Sequence, residues 1–316
     1  MQSALNTPHL IGEAAAFAYV EAKLWASGTV CPHCGVVGEA SRSQGKTTRM
    51  GLWNCRACRK PFTVRMGTIF ESSHVPLHIW LQVIYLVCSS KKGISTRQIQ
   101  RTIGGSMKTA WFLGHRIREA MTDDTVILGG GGGIIEADET FLGHDPKKFV
   151  SGKGWTGGSG QKKIVTVVER NGRARSVKVD SVQKPEIVRA LEIADRNSIL
   201  ATDEAMQYRR LGKEFLGHLT VEHGAHEYVR GEAHTHTVEG YFSIFKRGMR
   251  GIYQHCSEKH VARYAAEFDF RYSNRIALGI DDKARADNAL KGFAGKRLTY
   301  ETVSVRVSGA EGRVVW

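Results

Sequence analysis

The chain has 316 residues, of which 41% are apolar and 9% aromatic, and its 45 Lys and Arg against 31 Asp and Glu give a formal charge of +14. This apolar content excludes a wholly disordered chain, and the length favours two or three domains. No apolar stretch reaches the ~18 residues that span a bilayer, and the first residues lack a basic segment followed by an apolar block. We therefore expect a soluble, cytoplasmic protein whose positive charge serves an acidic polymer as partner.

The pattern of apolar and turn-forming residues divides the chain into five segments. An N-terminal helix precedes a cysteine-containing segment and a longer helical segment, and five consecutive glycines then indicate a loop or flexible joint at a domain boundary. The next segment alternates β-rich and helical stretches, as is typical of an α/β layered domain, and a basic tail without predicted structure ends the chain. The predicted limits are 1–28, 29–70, 71–128, 129–280 and 281–316.

Within the α/β segment, β-branched runs and apolar periodicity predict individual elements. The predicted strands are 134–138, 164–169, 174–179, 199–202 and 219–221. The predicted helices are 184–196, 203–212 and 237–250.

Two Cys-x-x-Cys pairs predict a metal site. Cys31 and Cys34 are separated from Cys55 and Cys58 by twenty residues. Four thiolates satisfy the tetrahedral preference of Zn²⁺ and close a structural site, while His33, inside the first pair, is expected to face solvent. Free thiols and a redox-active pair are the alternatives, but the second pair and the lack of a βαβ context favour a zinc ribbon.

The cysteine-containing segment is also strongly basic. Seven basic residues and no acidic one occur from Arg42 to Arg65, with Trp53 and Phe62 among them. Such a surface suits contact with phosphate groups, and a solvated charged face is the alternative.

Residues 94–118 resemble a helix–turn–helix, because two helical stretches flank a pair of glycines. Ser106 can cap the second helix, in which Ala110, Leu113 and Ile117 form an apolar stripe. A basic second helix fits a protein that reads the major groove, and plain helical packing is the alternative. The basic residues predicted to lie outside the stripe are Lys108, Arg116 and Arg118.

Three carboxylates of the α/β segment lie where metal-dependent chemistry is expected. Asp138 and Asp203 follow hydrophobic predicted strands, and Glu239 lies in the first turn of a predicted helix. Their oxygens suit Mg²⁺, and two such ions can activate an attacking oxygen and stabilise a leaving one. Any one of them alone is explained as a helix cap or an ion pair, Asp203 above all, so the prediction depends on all three.

The spacing of these residues resembles the DDE signature of transposases and retroviral integrases. Thirty-five residues lie between Asp203 and Glu239, and Lys246 follows seven residues later on the same helix face. Over residues 29–275 the chain resembles the ISXO2-like insertion-sequence transposases, which join a zinc ribbon to an integrase-like DDE domain. Besides the cysteine pairs, the matching stretches are 67–71, 76–80, 138–140, 234–239, 246–248 and 267–272.

The resemblance implies an RNase-H-like catalytic domain that cuts DNA at the element ends with metal-activated water and joins the freed 3′-hydroxyl to target DNA. Asp138, Asp203 and Glu239 would bind catalytic Mg²⁺ or Mn²⁺, and Lys246 would contact DNA near the cut phosphate. In this family the position three before the glutamate is usually Asn and is sometimes counted as the third active-site residue. Here it is His236, which stays the alternative to Glu239. The implied partners are double-stranded DNA and, because two ends are cut, further copies of the chain.

Two other functions stay open, namely a DNA-binding regulator with an inactive third domain and a metal-dependent nuclease without strand transfer. The glycine-rich residues 157–160, with Lys153, Lys162 and Lys163 nearby, lack the ending of a nucleotide-binding loop and predict a basic loop that faces DNA. Three tyrosines that resemble recombinase nucleophiles are expected instead to pack or to stack on DNA. They are Tyr241, Tyr253 and Tyr272.

Overall fold

The structure is a computed structural model and describes residues 3–143, 148–150, 154–156, 161–221, 229 and 231–298. The chain divides into two compact units, Met1–Thr122 with Asp281–Trp316, and Asp123–Ile280. The predicted basic loop at 157–160, together with Lys153, lies outside the described residues, as does the tail beyond residue 298. None of the described helices is long and apolar enough to cross a membrane.

The first unit begins with two short helices and a small antiparallel sheet. Helix α1 is Pro8–Ile11 and helix α2 is Glu13–Leu24. The sheet pairs β1 (Ala40–Arg42), β2 (Trp53–Cys55) and β3 (Pro61–Phe62) in that order.

The aromatic residues of this small sheet pack inside it. Phe62 is fully buried, and Trp53 packs edge-on against Trp25 with the ring centroids 5.9 Å apart. The indole N–H of Trp53 also donates to Glu21 at 3.0 Å. The prediction that Phe62 belongs to a phosphate-contacting surface is therefore corrected, because a sheet this short has few other apolar side chains from which to build a core. Trp53 is only partly buried, and its contact with phosphate stays a prediction.

Four helices complete the first unit. Helices α3 (Leu77–Ser89), α4 (Thr96–Ile103) and α5 (Met107–Ala120) occupy the predicted helical segment. Helix α10 (Asp282–Lys291), which was not predicted, packs against α2 and α3, and Asp281 caps it by accepting the N–H of Ala284 at 2.7 Å.

Two basic residues of α5 point inward. Arg116 and Arg118 are 4% and 1% exposed, so the prediction that they lie outside the apolar stripe is wrong. Arg116 follows Leu113 by three residues and shares its helix face. The Arg116 guanidinium donates to three backbone carbonyls at 2.8–3.0 Å, those of Ile69, Glu71 and Leu298. Burial lowers the Arg116 pKa to about 10, and Lys108 is the exposed basic residue near the start of the helix.

The second unit is built on a five-stranded mixed sheet with the order β10-β9-β4-β7-β8. Strands β4, β7 and β8 run antiparallel, whereas β9 and β10 run parallel to β4. The strands are β4 (Ile134–Leu142), β7 (Lys162–Glu169), β8 (Ala174–Val179), β9 (Ile199–Thr202) and β10 (Gly217–Thr220). Strands β5 (Lys148–Val150) and β6 (Gly154–Thr156) form a separate antiparallel pair.

Helices cover both faces of the five-stranded sheet. On one face, α6 (Lys184–Ala190) and α7 (Met206–Leu211) pack on a core that includes Ile135 of β4. On the other, α8 (His236–Gly248) and α9 (Val261–Ser273) pack on a core that includes Leu142. These layers confirm the mixed α/β class that was predicted for the segment.

The five glycines at 129–133 form a tight loop inside the second unit, and the division between the units falls earlier, after Thr122. Gly129 has a φ of +86°, and a Cβ there would approach the Cβ of Ser198 to 2.6 Å, so only glycine fits. Its N–H donates to Glu169 at 2.8 Å. The limits of the five segments otherwise stay predictions.

A buried polar network joins α9 to β8 and α8. The Asp269 carboxylate accepts from the backbone N–H and hydroxyl of Ser176 at 2.7 and 2.8 Å, and from the Tyr241 hydroxyl at 2.5 Å. Burial raises the pKa of Asp269 to about 6, although these hydrogen bonds act in the opposite direction. Tyr241 is thus a packed residue at the centre of the helical layer.

We expect Asp269→Asn to alter how stability depends on pH. The pKa of Asp269 in the folded chain, about 6, lies above the unfolded value of 3.8, so the native state holds this proton more tightly. The wild type should therefore lose stability, relative to the variant, as pH rises from about 4 to about 6, by at most roughly 3 kcal/mol. Urea unfolding of both proteins at a series of pH values measures this difference, and a difference that stays constant across the interval contradicts the assignment.

Candidate functional site

The four cysteines of the two Cys-x-x-Cys pairs converge on one point in the first unit. Their sulfur atoms all lie within 4.8 Å of one another, and the Cys31–Cys58 and Cys34–Cys55 sulfurs are 3.7 Å apart. This separation is far longer than a disulfide bond of about 2.05 Å. A tetrahedron with Zn–S bonds of about 2.3 Å places its sulfurs about 3.8 Å apart, so the residues fit a structural zinc ion.

The backbone around the cysteines prepares them as ligands. The Cys58 N–H donates to the Cys55 sulfur at 3.4 Å. Burial acts to raise the pKa of Cys31, but the N–H groups of His33 and Cys34 and the neighbouring thiols together lower it to about 6. The backbone N–H groups and the neighbouring thiols thus favour the ionised form of Cys31, which is the form that binds a metal ion. His33 is exposed, as expected, and lies 3.2 Å from the Pro61 carbonyl.

Strand pairing places Asp138 beside Asp203. Strands β4 and β9 are parallel, with Glu136 opposite Ala201. Asp138 and Asp203 each follow two residues after this pair. Neighbouring strands lie about 4.8 Å apart, so the two side chains leave the sheet close together. The prediction that Asp138 ends its strand is wrong, because β4 continues to pair with β7 as far as Leu142 after β9 has ended.

Asp203 is held by a turn at the end of β9. Its carboxylate accepts the N–H of Ala205 at 3.1 Å. Helix α7 begins after Ala205 and has no side-chain cap, so Asp203 is not the helix cap that was the alternative explanation for it.

Asp138 occupies a half-buried position among negative charges. Burial and the carboxylates of Glu139, Asp203 and Glu239 together raise its pKa to about 7, although the Glu139 N–H donates to it at 2.7 Å and acts in the opposite direction. The structure therefore brings Asp203 and Glu239 within electrostatic reach of Asp138. Their oxygens are less closely grouped than the cysteine sulfurs, which are the one group of three or more ligand atoms within 4.8 Å of one another among the described residues.

This set of donors fits a hard divalent cation. Mg²⁺ and Mn²⁺ prefer carboxylate oxygens, and a cation between these carboxylates would offset the repulsion that raises the pKa of Asp138.

The start of α8 carries the other predicted site residues. His236 and Glu239 are both exposed, and Glu239 accepts from the Thr235 hydroxyl at 3.2 Å. Being three residues apart, they share a helix face, so helix geometry does not choose between them. Lys246 lies two turns further along, with its ammonium 5.8 Å from the centre of the Phe242 ring.

Glu136 is a site residue that sequence analysis missed. It is fully buried on the same face of β4 as Asp138 and accepts the N–H groups of Thr237 and Val238 at 2.7 and 3.0 Å. It also accepts from the Thr237 hydroxyl at 2.8 Å and from Arg170 at 2.7 Å. The available signal was a glutamate inside an apolar strand, two residues before a predicted catalytic aspartate.

Glu139 points to the opposite face of β4. Its carboxylate accepts from the Gln207 amide at 3.0 Å and from the Tyr208 hydroxyl at 2.7 Å, both on α7. Burial raises the pKa of Glu139, and Asp203 contributes in the same direction. Strand β4 thus carries three carboxylates with different neighbours. Glu136 contacts α8, Asp138 lies beside Asp203, and Glu139 contacts α7.

Known protein families match the two segments of the chain that contain the cysteine cluster and the three carboxylates. Residues 12–61 match a transposase zinc-ribbon domain, and residues 130–273 match an ISXO2-like transposase domain. These ranges include the four cysteines and the three carboxylates. The chain is also 26% identical over 265 residues to a Halobacterium salinarum protein described as an uncharacterized protein in transposable element ISH50. That match covers 78% of this chain and 86% of the relative.

We expect the purified chain to hold one zinc ion that depends on the cysteine cluster. Cys55→Ser should reduce bound zinc to near zero, because three thiolates no longer close the tetrahedron. Cys256→Ser is the matched control, since Cys256 belongs to the second unit and is not one of the four clustered cysteines. Metal analysis by mass spectrometry after dialysis measures the stoichiometry, and zinc retained in full by Cys55→Ser would refute the site.

Proposed function

We propose that the chain, which carries an ISXO2-like transposase domain and an N-terminal transposase zinc ribbon, cuts DNA at the ends of an insertion sequence and joins the freed 3′-hydroxyl to target DNA. The observation that carries this proposal is the approach of Asp138, Asp203 and Glu239 from two parallel strands and one helix. Carboxylates from distant parts of the chain that meet around a residue with a raised pKa, here Asp138, are typical of a catalytic site.

Asp138, Asp203 and Glu239 would hold Mg²⁺ or Mn²⁺ in this proposal. When bound, such ions supply electrostatic stabilisation to the attacking and leaving oxygens of a phosphodiester. Asp138 must be deprotonated to act as a ligand. The hydrogen bond that its carboxylate accepts from the Glu139 N–H orients it. Lys246, two turns from Glu239 on α8, would neutralise the phosphate next to the cut bond.

An RNase-H-like fold for the catalytic segment, residues 129–280, is part of the proposal. The mixed sheet of three antiparallel and two parallel strands, with helices on both faces, supports it. The position of Asp138 and Asp203 at the parallel junction of the sheet is also typical of α/β active sites.

We propose that the first unit binds the DNA backbone. Six of the seven basic residues from Arg42 to Arg65 are exposed, and Arg65 is the exception, since it donates to the carbonyls of Ser73 and Val75. On the helical pair, Arg97, Arg101 and Lys108 are exposed. Exposed cations of this kind release counterions from DNA and give salt-dependent affinity. Cutting two element ends requires a multimer, so we propose that the active form is a homo-oligomer.

We expect Asp138→Asn and Asp203→Asn each to reduce DNA cleavage by on the order of a thousandfold, because each removes a charged ligand at the site of reaction. DNA affinity should change little, since the basic surface is untouched. Mg²⁺-dependent nicking of a plasmid with the element ends measures cleavage, and Asp180→Asn, whose carboxylate is 78% exposed, is the matched control.

The same assay on the wild type distinguishes a transposase from a regulator and from a nuclease. A regulator would bind the DNA without cutting it. A nuclease would cut without joining the cut end to a second duplex, so joined products are required by our proposal.

We expect Glu239→Gln to abolish cleavage and His236→Ala to reduce it less. A carboxylate binds Mg²⁺ more readily than an imidazole does. The nicking assay run in Mg²⁺ and then in Mn²⁺ compares the two variants. Normal cleavage by Glu239→Gln with loss of cleavage in His236→Ala would reverse the assignment of the third ligand.

A further inference from the structure

Glu136 links the strand that carries Asp138 to the helix that carries Glu239. Its buried carboxylate, two residues before Asp138, accepts the N–H groups of Thr237 and Val238 in the first turn of α8. We propose that Glu136 is a positioning residue that sets the location of Glu239 relative to Asp138. It would thereby set the geometry in which Asp138 and Glu239 bind a divalent cation. This inference rests on the proposed function.

Glu136 is not itself available as a metal ligand. A carboxylate offers about four lone-pair sites. In Glu136 four hydrogen bonds occupy them, two from backbone N–H groups, one from the Thr237 hydroxyl and one from Arg170. The side chain is also 0% exposed, so binding a cation would require it to release the helix.

Charge as well as hydrogen bonding holds this contact. The N-terminus of a helix carries a partial positive charge that favours a carboxylate beside its first N–H groups. The Arg170 guanidinium adds a full charge, and its other arm donates to the His234 carbonyl at 2.9 Å, two residues before α8 begins. Arg170 therefore fixes the chain that enters the helix while it pairs with Glu136.

The path from Glu136 to both ligands is short. Asp138 lies two residues along β4, a rise of about 6.6 Å, and Glu239 lies two residues beyond Thr237 in α8, a rise of about 3 Å. Both intervening segments are regular secondary structure with few degrees of freedom. A displacement at Glu136 would consequently be transmitted to the separation of the two carboxylates.

The test compares Glu136→Gln with a matched control. The amide keeps the size of the side chain, but it has no charge and only one oxygen. It cannot accept at both of the positions that now accept from α8 and from Arg170, so the contact that fixes the start of α8 is weakened. The control is Glu169→Gln on neighbouring β7, whose carboxylate accepts from the N–H groups of Gly129 and Arg173 rather than from α8. Both variants are examined as the full-length, zinc-loaded chain, with Mn²⁺ alone as the probe.

Isothermal titration with Mn²⁺ should show Kd raised by on the order of tenfold in Glu136→Gln and unchanged in Glu169→Gln, as is usual for residues that orient metal ligands. In the nicking assay kcat should fall by a similar factor, while KM for DNA changes little. Mn²⁺ Kd equal to that of the wild type in Glu136→Gln would overturn the inference.

Thr237→Val keeps the test decisive if Glu136→Gln does not fold. It removes the hydroxyl bond to Glu136 and leaves the backbone N–H groups in place, so we expect Mn²⁺ Kd to rise by about two- to threefold. Wild-type Kd in this variant would also contradict the inference.

Asp138→Asn separates this inference from the proposed function. If the wild type neither cuts DNA nor binds Mn²⁺ more tightly than Asp138→Asn does, the proposed function itself is wrong. If Asp138→Asn loses Mn²⁺ while the Glu136 and Thr237 variants bind it normally, the proposed function stands, and Glu136 acts only in folding.

Discussion

In the parallel pairing of β4 with β9, Glu136 lies opposite Ala201 and the two aspartates follow together. Because side chains alternate between the faces of a strand, a slip of one residue would turn Asp138 toward α7 and bring Glu139 to the face of α8. Two sets of contacts oppose such a slip. Ile135 is buried in the core under α6 and α7, while Glu136 accepts from the first turn of α8. The hydrophobic pattern and the buried carboxylate thus specify the same register.

The candidate active site is the part of the second unit where folding and chemistry oppose each other. Burial and three neighbouring carboxylates raise the pKa of Asp138 to about 7, which means that its ionised form destabilises the folded state. Glu136 and Glu139, on either side of Asp138 in β4, are in contrast each hydrogen-bonded to a helix. A locally unfavourable residue surrounded by favourable ones is expected where a sequence serves a function.

The sequence predicted those features that local patterns determine. Strands β8 and β9 were predicted with their observed limits because β-branched runs between turn residues define them, and the spacing of the cysteines was enough to predict their cluster. Glu136 was missed because its helix partners lie about a hundred residues away in the chain, where no local pattern reveals them. Helix α10 was missed because its buried residues are only Arg285, Ala289 and Leu290, which gives a weak apolar stripe.

The burial of arginine also limits what the net charge can tell about DNA binding. The buried basic side chains among the described residues are all arginines, and none is a lysine; they are Arg116, Arg118, Arg263, Arg271 and Arg285. A guanidinium has five donors in a rigid plane, so it can satisfy several carbonyls inside a protein, as Arg116 does, whereas a lysine ammonium is strongly hydrated. A formal charge of +14 therefore overstates the charge available to phosphate groups. The lysines and the exposed arginines of the ribbon and of α4 are the better measure of the DNA-binding surface.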